Sequence, residues 1–168
     1  MSRVAILLLL AFAGIELRAE DLVRYTLKWV VEDNMPLEVR TARAPLTVRS
    51  RVGETGETKD SSTLPVLRTL EDGLLVSNLE EDVFLYIFVK NTGKKKMRFS
   101  VAPHSTDPGS SSLGFVFNCL CNGHIYEVNP GKTWYRIMEL KTRKIETKNQ
   151  IVLEHHIFQV KKPAKKKG

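Results

Sequence analysis

The chain has 168 residues, of which 42% are hydrophobic and 27% charged, a balance that excludes wholesale disorder and supplies one domain with a real core. Its net charge of +7 sits at the ends: Arg3 and Arg18 against Glu16 near the start, and Lys161, Lys162, Lys165, Lys166 and Lys167 at the finish, which leaves the body near neutral. A basic nucleic-acid surface is therefore not expected, and no nucleic-acid partner is assigned.

Arg3 precedes an almost entirely apolar run, Val4 to Ile15, and Leu17-Arg18-Ala19 offers a cleavage position after Ala19. Residues 1–19 thus read as a secretory signal, although Leu17 is larger than the residue usual at that place. The run is shorter than the roughly 18 residues of a membrane span, which disfavours the alternative of an uncleaved anchor. The mature protein is then exported, and periplasmic if the source is bacterial. Residues 20–160 form the expected domain, and residues 161–168 a lysine-rich tail with at most a weak attraction to anionic lipid headgroups at a membrane surface.

Tyr25, Leu27, Trp29 and Val31 alternate with Arg24, Thr26 and Lys28, the pattern of a half-buried strand. A turn at Asp33 to Pro36 precedes a short strand, Leu37 to Arg40. Leu46, Val48 and Val52 predict another strand, opened by Pro45. The polar stretch Gly53 to Thr63 reads as a mobile loop inserted into the domain. Leu64 to Leu70 and Leu74 to Val76 flank Glu71-Asp72-Gly73, a hairpin signal. Val83 to Val89 is continuously apolar and aromatic, as in a central strand buried on both faces. Met97, Phe99 and Val101 give its expected partner strand. Pro103 to Gly114 is a long irregular loop, and such loops on rigid frames carry function. After the segment 115–128 and a turn at Asn129-Pro130-Gly131, strands are expected over Trp134 to Leu140 and Ile151 to Val160. Many short strands at roughly 8–12-residue spacing, with no long helix, predict an all-β antiparallel β-sandwich.

The chemistry concentrates between Phe115 and Met138. Both cysteines of the chain, Cys119 and Cys121, lie there in a Cys-x-Cys pair, and His124 follows three positions later. On extended backbone, residues two apart face the same way with Cα atoms roughly 6.6 Å apart, at the long end of disulfide geometry. A strained bridge is one reading; two thiolates facing one ion is the easier one. Thiolates suit Cu(I) and zinc. A structural zinc site wants four protein ligands, and the four histidines are too scattered along the chain to be expected to complete one. His124 is a candidate third ligand or a histidine of an exposed loop. His104 ranks below it, since it reaches the sulfurs only if the long loop folds back. His155 and His156 point to opposite faces of a strand, so at most one joins any site, and both read as structural. Trp134 and Tyr135 read as core, with shielding of the sulfurs as the alternative.

The segment resembles the copper-assembly proteins of cytochrome c oxidase, the CtaG type, in Phe117, Cys119-Leu120-Cys121, Pro130-Gly131-Lys132 and the strand from Trp134. Where that family carries Cys-Phe-Cys-Phe, this chain carries Cys-Leu-Cys-Asn. The likeness extends through Tyr25 to Arg40, Leu46 to Glu54, Val83 to Gly93 and Ile151 to Phe158. The resemblance implies an immunoglobulin-like sandwich that presents Cu(I) on Cys119 and Cys121 to a copper-accepting protein, such as a membrane-bound oxidase subunit. Two copies of the chain sharing copper across facing sites would be compatible with two sulfurs alone.

Two further readings stand beside it. A cupredoxin-like electron carrier would use two histidines, one cysteine and an axial methionine, here His104, His124, Cys121 and Met138. A non-metal immunoglobulin-like interaction module would hold the cysteines oxidised or buried. No nucleophile elbow, phosphate loop or dense carboxylate cluster points to an enzyme.

Overall fold

The computed structural model describes residues 22–79, 81–110, 115–142 and 150–161. The expected signal segment 1–19 and the lysine tail beyond Lys161 lie outside the described residues. The described residues form twelve strands: β1 Leu22–Val31, β2 Leu37–Arg43, β3 Thr55–Thr58, β4 Arg68–Thr69, β5 Leu74–Asn78, β6 Asp82–Asn91, β7 Met97–Val101, β8 Ser105–Asp107, β9 Phe115–Asn118, β10 Tyr126–Val128, β11 Thr133–Thr142 and β12 Ile151–Gln159.

They form two packed sheets, and the fold is an all-β sandwich. One sheet runs β10-β7-β12-β1-β5, with β8 also paired to β12; the other runs β3-β11-β6-β2-β4, with β9 also paired to β11. Among the described residues every strand pairing but one is antiparallel. β1 and β12 run parallel, with Trp29 opposite His155.

β6 explains the architecture. Its apolar run VFLYIFV leaves no polar face, so both sides must be covered. Val83, Leu85, Ile87 and Val89 enter the main core between the sheets, beside Tyr25, Leu27, Phe99, Met138 and Leu153. Phe84, Tyr86 and Phe88 point outward into a second cluster with Ala42, Ala44, Val48 and Ile137. Val52, Leu64 and Val66, from the chain linking β2 to β4, pack on that outer cluster.

Four local expectations are corrected. Leu46–Arg51 is a 3-10 segment, not a strand. Only Val48 of Leu46 and Val48 is buried, and Arg49 and Arg51 reach outward to Asp82 and Glu54. The polar loop 53–63 contains β3, which pairs with the edge of β11. Glu71-Asp72-Gly73 does turn the chain, but β4 and β5 belong to different sheets, so it is a crossing and not a hairpin. Gly73 adopts φ +71° with the Leu27 carbonyl close behind it, a place with no room for a side chain. β7 is not the hydrogen-bonded partner of β6; it crosses to the opposite sheet and pairs with β12 and β10.

Asn91 closes β6. Its Nδ2 donates to the carbonyls of Lys95 (2.8 Å) and Val128 (3.0 Å), and its Oδ1 accepts from the Gly93 N–H (2.9 Å). One buried amide thereby ties the turn between β6 and β7 to β10.

Candidate metal centre

β9 hydrogen-bonds to β11 and delivers the chain into the cysteine segment. Two tight turns follow. The Cys119 N–H donates to the Phe117 carbonyl (2.9 Å) and the Asn122 N–H to the Leu120 carbonyl (2.8 Å). These three-residue closures contract the backbone, and the Cα atoms of Cys119 and Cys121 lie 5.5 Å apart. That is shorter than an extended strand gives, and it brings the sulfurs together as a disulfide. Leu120, between them, is fully buried in the main core and anchors the turn. The Cys121 N–H donates to Cys119 Sγ (3.2 Å).

The long loop does fold back. β8 pairs with β12 so that Ser105 lies opposite Glu154. Continuing that register places His104 beside His155. His104 Nδ1 then stands 3.7 Å from Cys119 Sγ and 3.6 Å from Cys121 Sγ. The rings of His104 and His155 are 5.2 Å apart. One ligand atom from each of His104, Cys119, Cys121 and His155 lies within 4.8 Å of the others, an arrangement that could hold a metal ion.

Sequence reasoning read His155 as structural, and the structure puts it in this group. Strand alternation was right that one of the pair at most could join: His156 faces solvent and bonds Glu154 (2.8 Å). What selects His155 is its neighbour across the parallel pair. Trp29 stacks on it with ring centroids 4.2 Å apart and is itself fixed by donating Nε1–H to Thr41 Oγ1 (2.8 Å). Phe117 meets the His155 ring edge-on at 5.6 Å. Trp29 and Phe117, not Trp134 and Tyr135, are thus the aromatic wall of the site. Trp134 packs in the core against Phe99 and Tyr126, and Tyr135 against Tyr86.

The remaining candidates fall elsewhere. His124 is exposed, stacks on Tyr126, and is not among the four grouped residues. Its backbone is held by Asn122 Oδ1, and its carbonyl accepts from Ser100 Oγ. Met138 is fully buried in the main core.

The group has an inner and an outer half. His155 is 0% exposed and does not line the open pocket beside the group; Cys119, 8% exposed, lines it together with the half-buried His104 and Cys121 and with Asn118 and Asn122. Burial pushes the His155 imidazole down to about 3, helped by the neighbouring His104. The carbonyls of Leu153 and Lys28 offset this in part, yet neither reaches hydrogen-bond geometry, and both ring nitrogens lack a partner among the described residues. Burial likewise lowers His104 from the usual histidine range. Both shifts favour the neutral ring, the form that ligates a metal.

Fold and site together define a β-sandwich protein with a Cys-x-Cys pair and a histidine on either side of it, able to bind a metal ion. The chain belongs to the family described as a domain of unknown function (DUF8709), whose model matches residues 23–160. No curated protein matches it.

Proposed function

We propose that this protein is an exported Cu(I) carrier that presents copper on Cys119 and Cys121 to a copper-accepting protein. The observation that carries the reading is the convergence of both sulfurs with His104 Nδ1, at 3.6 and 3.7 Å, where His104 and Cys121 border an open pocket. Soft sulfur donors favour Cu(I). An accessible cysteine lets an acceptor's ligand approach the ion before the first protein lets go, which is what a transfer site needs. The role is binding and delivery, not catalysis. The likeness to oxidase copper-assembly proteins supports a respiratory oxidase subunit as acceptor. Binding requires the Cys119–Cys121 bridge to be reduced, since each thiolate must be free to ligate.

A second reading follows from the number of donors. Two sulfurs and two nitrogens also suit tetrahedral zinc, held for structure alone. One titration separates these. The reduced full chain, its Cys119→Ser/Cys121→Ser variant and the oxidised chain are each competed against a Cu(I) chelator, and in parallel against a Zn²⁺ indicator. The reduced wild type should take one Cu(I) per chain, and the other two forms none. Failure of the reduced chain to compete for Cu(I), with tight uptake of Zn²⁺, would replace the carrier reading by the structural one.

A further inference from the structure

We propose that His155 is the inner ligand of this site, so that copper is held by two sulfurs and two nitrogens and not by the cysteine pair alone. The inference rests on the copper reading and adds to it the composition of the coordination shell.

His155 is buried by ring contacts that leave its nitrogens unmet among the described residues. A buried polar atom is nearly always hydrogen-bonded, and leaving one unpaired costs roughly 1–3 kcal/mol. His155 is fully buried and neither of its ring nitrogens has a hydrogen-bond partner among the described residues. Its surroundings, Trp29 stacked on one face and Phe117 against the ring, would accept a phenyl ring equally well. An imidazole there leaves polar atoms unmet unless something else meets them.

Position supplies what that is. One His155 nitrogen lies within 4.8 Å of both sulfurs and the His104 nitrogen. Donors of one tetrahedral ion at bond lengths of about 2.0–2.3 Å are separated by about 3.3–3.8 Å. His104 already stands at 3.6 and 3.7 Å from the sulfurs. Reducing the Cys119–Cys121 bridge with a dithiol, which gives up two electrons and two protons and is itself oxidised to a disulfide, leaves two separate thiols that can part, and a shift of about 1 Å brings the remaining nitrogen into the same shell. The Trp29 stack and its bond to Thr41 fix the ring plane beforehand, as an outer partner fixes a metal-bound histidine.

The division into halves then has a use. His155, fully buried and off the pocket, retains the ion from the inside, while His104 and Cys121, the more exposed of the donors that line the pocket, are those an acceptor can displace.

The test uses the reduced full chain with Cu(I) alone. X-ray absorption at the copper edge should report two sulfurs and two nitrogens in the wild type, and two sulfurs and one nitrogen in His155→Phe. Chelator competition should show affinity falling by roughly 100-fold in that variant, the upper end of what losing an orienting partner alone costs. Apo His155→Phe should melt at or above the wild-type temperature, because the phenyl ring removes the unmet nitrogens and keeps the stack. Should that variant fail to fold, ¹⁵N resonances of the His155 ring in the wild type answer independently: one nitrogen must shift on adding Cu(I). Unchanged His155 resonances, or an unchanged copper shell and affinity in His155→Phe, overturn the inference while the carrier reading stands. Absence of Cu(I) uptake by the reduced wild type overturns both.

Discussion

Proton competition for the site gives a quantitative prediction. A sulfur ligates only as thiolate, so each bound Cu(I) displaces two protons wherever the free thiols are protonated. An ordinary thiol titrates near pH 8.5, so below about pH 7.5 each sulfur costs about tenfold in apparent affinity per pH unit, and the pair about 100-fold. Ordinary histidines, with a pKa of about 6.5, would steepen this below that pH by up to another tenfold each. The structure reduces that contribution. Burial pushes His155 to about 3, so that ring stays neutral where a free imidazole would charge, and burial also lowers His104, so it charges at a lower pH than a free imidazole. The sign is a loss of affinity as pH falls, with two protons from the sulfurs and none from His155. Over a change from about pH 7.5 to about pH 5.5 the affinity should drop by about 10⁴. The assay is Cu(I) competition at a series of pH values, corrected for the chelator's own protonation. A slope near zero would refute thiolate ligation. A slope climbing toward four below about pH 6.5 would refute the claim that burial keeps His155 neutral.

Two predictions concern the frame. Asn91→Asp replaces a double donor by an acceptor opposite the Lys95 and Val128 carbonyls, and should cost about 2–4 kcal/mol in urea unfolding; a change within about 0.5 kcal/mol would show that this buried amide is not holding the turn. Gly73→Ala places a Cβ 2.2 Å from the Leu27 carbonyl oxygen at φ +71°, and should destabilise by about 2 kcal/mol or more; a wild-type melting temperature would mean that the crossing relaxes freely.

The parts of this fold that were legible in the sequence are those that local pattern dictates. The unbroken run Val83 to Val89 could only be a strand covered on both faces, and β6 is that strand. The alternation in Tyr25 to Val31 and in Ile151 to Phe158 likewise fixes strand and face. What pattern cannot carry is which strands meet. β3 is an edge strand of Thr, Gly and Glu, paired through backbone groups that any side chain would allow, so its polar sequence resembles a loop. Val48 is buried by a 3-10 turn where alternation suggested a strand. The site divides in the same way. Cys119 and Cys121 announce themselves by spacing; His104 ranks below His124 in the sequence, and it is His104 that joins them, because the chain at β8 folds back onto β12. His155 enters through the pairing of β12 with β1 and β8, elements remote in sequence, and no local signal marks it over His156.

The parallel pairing of β1 with β12 also bears on how the protein is made. Lys28 and Glu154, joined by an ion pair across it, are 126 residues apart in sequence. Closing so long a loop is slow, and the closing strand leaves the ribosome only after every other described strand. Trp29 is synthesised early and waits unpaired for His155. Until β12 docks, the chain has the two sulfurs and His104 of the group but not the inner nitrogen of His155. On the copper reading proposed above, strong retention of the ion is then a property of the finished molecule, and a chain truncated before β12 should let it go.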